Sequence, residues 1–173
     1  MSTDYFKRVS LANLYPPFRE LVETLQANCL ARGAQYYATS AYRSVEEQNG
    51  LYALGRTKPN VDATDEKPLG NVVTKARGGQ SFHNHAVAID FALDKDTKRE
   101  GLQPNWSPEA YKILAEEAVK LGLEAGANWT SFKDYPHIQL NISKAGLGLA
   151  DLQKAQNNGG LPAVFALLNR YRW

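Results

Sequence analysis

The sequence predicts one α+β domain in which helices and short strands are mixed. Apolar residues recur at helical spacing in some segments, while others are short runs rich in Tyr, Thr, Val or Ile, with Gly and Pro at the boundaries. With 173 residues, 43% hydrophobic and 22% charged, the chain can bury a core without disulfide staples. No internal repeat or low-complexity linker interrupts it, so a second domain is not expected.

In order, Pro16-Pro17 precede Phe18, Leu21, Val22, Leu25 and Cys29, which is helical spacing with Gly33 as the stop. Residues 35–41 are short and rich in Tyr and Thr and read as a strand. Ser44-Val45-Glu46-Glu47 is a capping-box sequence, opening a helix that runs to Leu54 and ends at Gly55. Residues 56–70 carry prolines and charges without periodicity, which indicates a surface loop. Residues 86–93 are apolar and strand-like. Ser107-Pro108-Glu109 starts a helix with Tyr111, Leu114, Ala115, Ala118 and Leu121 on its buried face and Gly122 closing it. Residues 138–142 read as a strand, and two short helices broken at Asn157-Asn158-Gly159-Gly160 follow Gly146.

Composition excludes several classes of function. A net charge of +2 does not demand a nucleic-acid partner. Cys29 is the sole cysteine, so intrachain disulfides and thiolate metal clusters are ruled out, and a small buried hydrophobe is its expected role. No stretch approaches the ~20 apolar residues of a membrane span, and residues 1–8 contain no apolar run of signal-peptide length. Synthesis in the cytoplasm without a signal peptide is therefore expected, as is a monomer.

All three histidines lie in two short segments that also carry aspartates: Ser81-Phe82-His83-Asn84-His85-Ala86-Val87-Ala88-Ile89-Asp90 and Asp134-Tyr135-Pro136-His137. Imidazole plus carboxylate is zinc-ligand chemistry, and a catalytic zinc keeps three protein ligands and an open position. His83, Asp90, Asp134 and His137 would supply three ligands and a general base. Pro136 holds Tyr135 extended, so the second segment is not a helical metal motif. Its turn can put His137 on the metal with Asp134 beside the attacking water, although Asp90 competes for the role of base. His83 and His85 share strand parity, which leaves open a rival scheme of three histidine ligands with Asp90 behind them. The bland alternative is that these residues merely cap loops or sit in a satisfied polar core. Arg43, between a strand and a helix, can face a cleft with its planar guanidinium. Trp129-Thr130-Ser131-Phe132 lines either that cleft or the core.

Tyr42-Arg43-Ser44 with Glu47-Gln48, and Leu51-Tyr52-Ala53-Leu54-Gly55-Arg56-Thr57, resemble the opening of the L-alanyl-D-glutamate peptidase endolysins. These group with the vancomycin-resistance-type D-alanyl-D-alanine carboxypeptidases and share a core with the hedgehog signalling domain. The family signatures Ser-x-His-Asn-x-Gly-x-Ala-x-Asp and Asp-x-Pro-His are similar to residues 81–90 and 134–137, and Leu121-Gly122-Leu123-Glu124 and Trp129-x-x-Phe132 match the run before the second signature. The resemblance covers roughly residues 16 to 142, leaving a helical extension over about 146 to 173. It implies a small antiparallel sheet flanked by helices. It also implies one Zn2+ per chain on His83, Asp90 and His137, with Asp134 as catalytic base and Arg43 as a substrate or transition-state contact. Ser81, Gln48 and Trp129 would bind substrate, and His85 would not be a ligand. The implied activity is hydrolysis of the L-Ala–D-Glu bond of peptidoglycan stem peptides in the periplasm during host lysis. The rivals are a D-alanyl-D-alanine carboxypeptidase and a wall-binding module without catalysis.

Two positions depart from the family pattern. Ala86 replaces a glycine, and if φ is positive there alanine costs on the order of 1 kcal/mol. Ala125-Gly126-Ala127 replaces Trp-Gly-Gly, which removes an expected aromatic wall. Beyond the family core, Leu161, Val164, Phe165 and Leu168 repeat at helical spacing ahead of Arg170, Tyr171, Arg172 and Trp173. That tail reads as a helix packed on the domain or, more sharply, as a basic aromatic end that contacts membrane or outer membrane.

Overall fold

In the computed structural model, which describes residues 9–99 and 101–173, the first helix α1 (Pro16–Ala31) begins at the two prolines. Their fixed φ suits a first helical turn, where the missing N–H would have had no partner anyway. Residues 1–8, on which the expectation of no signal peptide rests, lie outside the described part. Phe18, Val22, Leu25 and Cys29 form the buried stripe of α1. The expected capping box opens α2 (Val45–Ala53): Ser44 Oγ accepts the Glu47 N–H, and the Glu47 carboxylate accepts the Ser44 N–H. The expected helix after Ser107 begins with a 3-10 turn (Pro108–Tyr111) and continues as α3 (Lys112–Lys120).

Strands β1 (Tyr36–Ser40), β2 (Ala88–Asp94), β3 (Pro104–Asn105), β4 (Glu124–Ala125) and β5 (His137–Gln139) form a small, fully antiparallel sheet. Its order is β1-β2-β5-β4, with β3 also paired to β2. Side chains alternate across a strand, so Ile89, Phe91 and Ile138 join α1 and the Leu114–Ala118 side of α3 in the core. Asp90, His137 and Gln139 occupy the alternate positions. Register then does the positioning: Ser40 lies opposite Asp90, Asp90 opposite His137, and Gln139 opposite Glu124.

Three elements differ from what the sequence predicts. The segment before β2 is a 3-10 helix (Phe82–His85), not a continuation of the strand. The last strand starts at His137 and ends at Gln139, while Ile142 lies in a following 3-10 turn. The two-residue strands β3 and β4 are too short to leave a pattern in sequence.

The tail forms α4 (Leu149–Leu168), broken at Gly159–Gly160, where Gly160 has a φ of 65°. Leu152, Val164 and Leu168 are fully buried, and the Phe165 ring lies 5.3 Å from that of Tyr15. The Tyr15 hydroxyl donates to Asn169 Oδ1 at 2.8 Å. The apolar stripe thus packs on the domain, as the plainer of the two readings expects. No helix among the described residues is long and apolar enough to cross a membrane. Cys29 is fully buried, and that burial pushes its thiol up to about 11.

Candidate metal centre and active site

His83, Asp90 and His137 converge from the 3-10 turn, β2 and β5, offering ligand atoms that all lie within 4.8 Å of one another. His83 Nε2 is 3.3 Å from Asp90 Oδ2, and His137 Nδ1 is 3.1 Å from Asp90 Oδ1. With zinc–ligand bonds near 2.0 Å, neighbouring ligands of a tetrahedron sit about 3.3 Å apart, so these separations fit. Each imidazole is also turned by its other nitrogen. His83 Nδ1 lies 2.6 Å from the Ala41 carbonyl, an acceptor, so Nδ1 carries the proton and Nε2 is left with its lone pair. His137 Nε2 lies 2.9 Å from Gln139 Oε1, which leaves Nδ1 for the cluster.

His85 is not in this group. In a 3-10 helix of three residues per turn, side chains two apart point in different directions, so the strand-parity argument for a three-histidine site fails. Instead His85 is fully buried, with Nε2 3.1 Å from the Gly79 carbonyl. Gln153 of α4 donates to the same carbonyl at 2.9 Å. The tail helix therefore rests on the turn that carries His83.

The electrostatics follow from the packing. Burial works to raise the pKa of Asp90, but the imidazoles of His83 and His137 outweigh it and hold the carboxyl well below the usual range. Burial opposes charge on His137, yet the hydrogen bond and charge of Asp90 raise its pKa. Asp134 is raised, first by burial and then by the nearby charge of Asp90. Its carbonyl accepts the His137 N–H at 3.1 Å, closing the turn expected around Pro136. Gly126 packs so closely here that a Cβ on it would collide with the Asp134 carbonyl.

Around the cluster lies a cleft of about 370 Å³ lined by Arg43, Ser81, Trp129 and Asp134 among others. Arg43 Nη2 is 3.9 Å from Asp90 Oδ2 and donates to Ser40 Oγ at 2.7 Å, while Nη1 donates to Gln48 Oε1 at 2.7 Å. Gln48 has no exposed surface with which to meet a substrate. It holds Arg43 and donates to the Ala76 carbonyl, which corrects its reading as a substrate contact. Ser81 caps the 3-10 turn by accepting the His83 N–H. Trp129 lies against the His137 ring with centroids 5.3 Å apart, and exposed Phe132 is covered by the Lys75 ammonium at 4.0 Å. These two aromatics wall the cleft despite the missing tryptophan near residue 125.

Three residues that matter here carried no role in the sequence reading. Buried Asn84 staples the turn, donating to the carbonyls of Arg43 and Ser44 and accepting the Gly79 N–H. Its place inside the first motif was the available signal. Gln139 and Glu124 support His137; the family-like run Leu121–Glu124 was the available signal for Glu124, and Gln139 had none.

Residues 12–135 match the VanY family, described as D-alanyl-D-alanine carboxypeptidase. The peptidoglycan L-alanyl-D-glutamate endopeptidase CwlK of Bacillus subtilis (strain 168) is 38% identical over 136 residues, covering 75% of this chain and 74% of CwlK. The chain belongs to the VanY family. The L-alanyl-D-glutamate peptidase of Listeria phage A118 is 28% identical over 167 residues; the match covers 94% of this VanY-family chain but only 51% of the phage enzyme. Among solved structures, a vancomycin-resistance D,D-pentapeptidase VanY in complex with Zn(II) superposes with a TM-score of 0.52 at 18% identity, covering 79% of this chain and 81% of that one. That likeness is one of fold.

Proposed function

We propose that this VanY-family chain is a zinc-dependent endopeptidase that cuts the L-Ala–D-Glu bond of peptidoglycan stem peptides and serves a phage as its lysis enzyme. The observation that carries the reading is the convergence of His83, Asp90 and His137 beside Asp134 in an open cleft. The bond is inferred from the two relatives named for it, and the lysis role from the phage relative.

In this reading His83, Asp90 and His137 would hold a zinc ion, which when bound would supply Lewis acidity for activating water and polarising the scissile carbonyl. Asp134 takes the proton of the attacking water and returns it to the leaving nitrogen. Its carboxyl lines the same cleft as the three residues of the metal group. Arg43, fixed by Gln48 and Ser40, presents a planar cation to the developing oxyanion or a substrate carboxylate. Trp129 and Ser81 border the bound peptide.

The test is mass spectrometry of purified peptidoglycan digested by the zinc-loaded protein. New amino groups on D-Glu and free carboxylates on L-Ala are expected. Release of single D-alanine would instead give the chain the carboxypeptidase activity for which its family is described, and no product at all would leave it a binding module.

A further inference from the structure

We propose that Glu124 and Gln139 are positioning residues that together dictate which nitrogen of His137 is offered to the metal. The inference rests on the metal-site reading of His83, Asp90 and His137, and it concerns residues to which that reading gives no role.

Donor and acceptor assignments along this chain of side chains are forced. An ionised glutamate only accepts, and an indole N–H only donates. Glu124 Oε1 accepts Trp129 Nε1–H at 3.3 Å, and Oε2 accepts Gln139 Nε2–H at 2.9 Å. The carboxylate therefore makes the Gln139 amide turn its NH2 toward β4. Its carbonyl oxygen must then face the other way, where His137 Nε2 lies 2.9 Å off. Facing an acceptor, His137 Nε2 must carry the proton, so the lone pair of the neutral ring sits on Nδ1. Nδ1 is the atom that points into the cluster, 3.1 Å from Asp90 Oδ1.

Sheet register builds this chain of bonds. His137 and Gln139 are two apart on β5 and share a face, and Glu124 is the cross-strand partner of Gln139. His137 and Gln139 are only 7% and 6% exposed, so water is poorly placed to substitute for a missing partner. Turning the amide over would point NH2 at His137 Nε2, move the ring proton to Nδ1 and close that nitrogen to a metal. Through its second oxygen, Glu124 also pins Trp129 against the His137 ring.

Zinc affinity, measured by competition with a chromophoric chelator, tests the proposal on the full chain. Glu124→Met and Gln139→Met keep similar volume but break the relay, and each is expected to lose ~10–100-fold in zinc affinity. The exchange variant Glu124→Gln with Gln139→Glu remakes every bond: the glutamate at 139 accepts from His137 and from the amide at 124, whose oxygen accepts from Trp129. It is expected to stay within about threefold of wild type. Wild-type affinity in both Met variants, or an exchange variant much weaker than wild type, would overturn the proposal. If the Met variants fail to fold, the exchange variant alone decides. Nitrogen-15 spectra of the zinc-loaded protein should place the His137 proton on Nε2, and a proton on Nδ1 overturns the assignment. A wild-type protein that binds no zinc defeats the metal reading itself, a separate result.

Discussion

Leu168→Ala separates the two readings of the tail. Leu168 is fully buried in the last turn of α4, in one core with Phe18 and Leu152. Truncation to Ala removes three carbons from an apolar site, about 2.4 kcal/mol at ~0.8 kcal/mol per buried carbon. The cavity left behind raises this to as much as about 5 kcal/mol where neighbours cannot collapse. In a chain of this size each kcal/mol lowers the melting temperature by roughly 2–4 °C. A fall of about 5–20 °C is therefore expected in calorimetry at fixed zinc concentration. The paired control removes the charges of exposed Arg170 and Arg172, for which no change in melting is expected. A shift under ~2 °C for Leu168→Ala would refute the packing argument. If the arginine variants then lost leakage of anionic vesicles, the tail would be an interfacial helix after all.

Four further outcomes are expected. Asp134→Ala should stay folded and zinc-loaded yet lose at least ~100-fold in kcat, and near-normal turnover would remove Asp134 from the mechanism. His83→Ala and His137→Ala should be depleted of zinc in metal analysis, whereas His85→Ala should keep it and lose stability instead. Zinc binding should weaken as pH falls. The His137 pKa is raised by the hydrogen bond and charge of Asp90 in the metal-free protein, so below that pKa zinc must displace the Nδ1 proton, and titration calorimetry in buffers of different ionisation heat should record its release as pH falls. A pH-independent affinity would contradict this. Cys29, with its thiol pushed up to about 11 and no exposed surface, should resist thiol reagents until the chain unfolds.

What was legible in the sequence was whatever local chemistry writes. The Ser44 capping box, the prolines of α1, the breaks at Gly159 and Gly160 and the extended turn before His137 all depend on neighbours within a few residues. The wrong parity given to His83 and His85 has the same origin: a four-residue 3-10 turn has no period long enough to distinguish from a strand. The pairing of Glu124 with Gln139 was illegible because it depends on the register of a two-residue strand, which only the folded sheet sets. Ala86 was half legible. Its departure from glycine could be noted and a cost stated, but only the structure gives its φ of 60°. Burial of its methyl group offsets part of that cost, so Ala86→Gly should change stability by no more than about 1 kcal/mol.

Because Gln153 of α4 and His85 of the turn bearing His83 meet at one carbonyl, that of Gly79, docking of the tail and occupation of the metal site bear on the same few atoms. Equilibria that share a structural element are reciprocal: whatever zinc adds to the docked state of the tail, the docked tail adds to the hold on zinc. Hydrogen exchange should then slow in α4 amides when zinc is added, although none of the three residues of the metal group lies on that helix. A chain nicked between the two halves of α4 would then hold a metal less tightly, so damage at Gly159–Gly160 would be felt at His83 some distance from the cut.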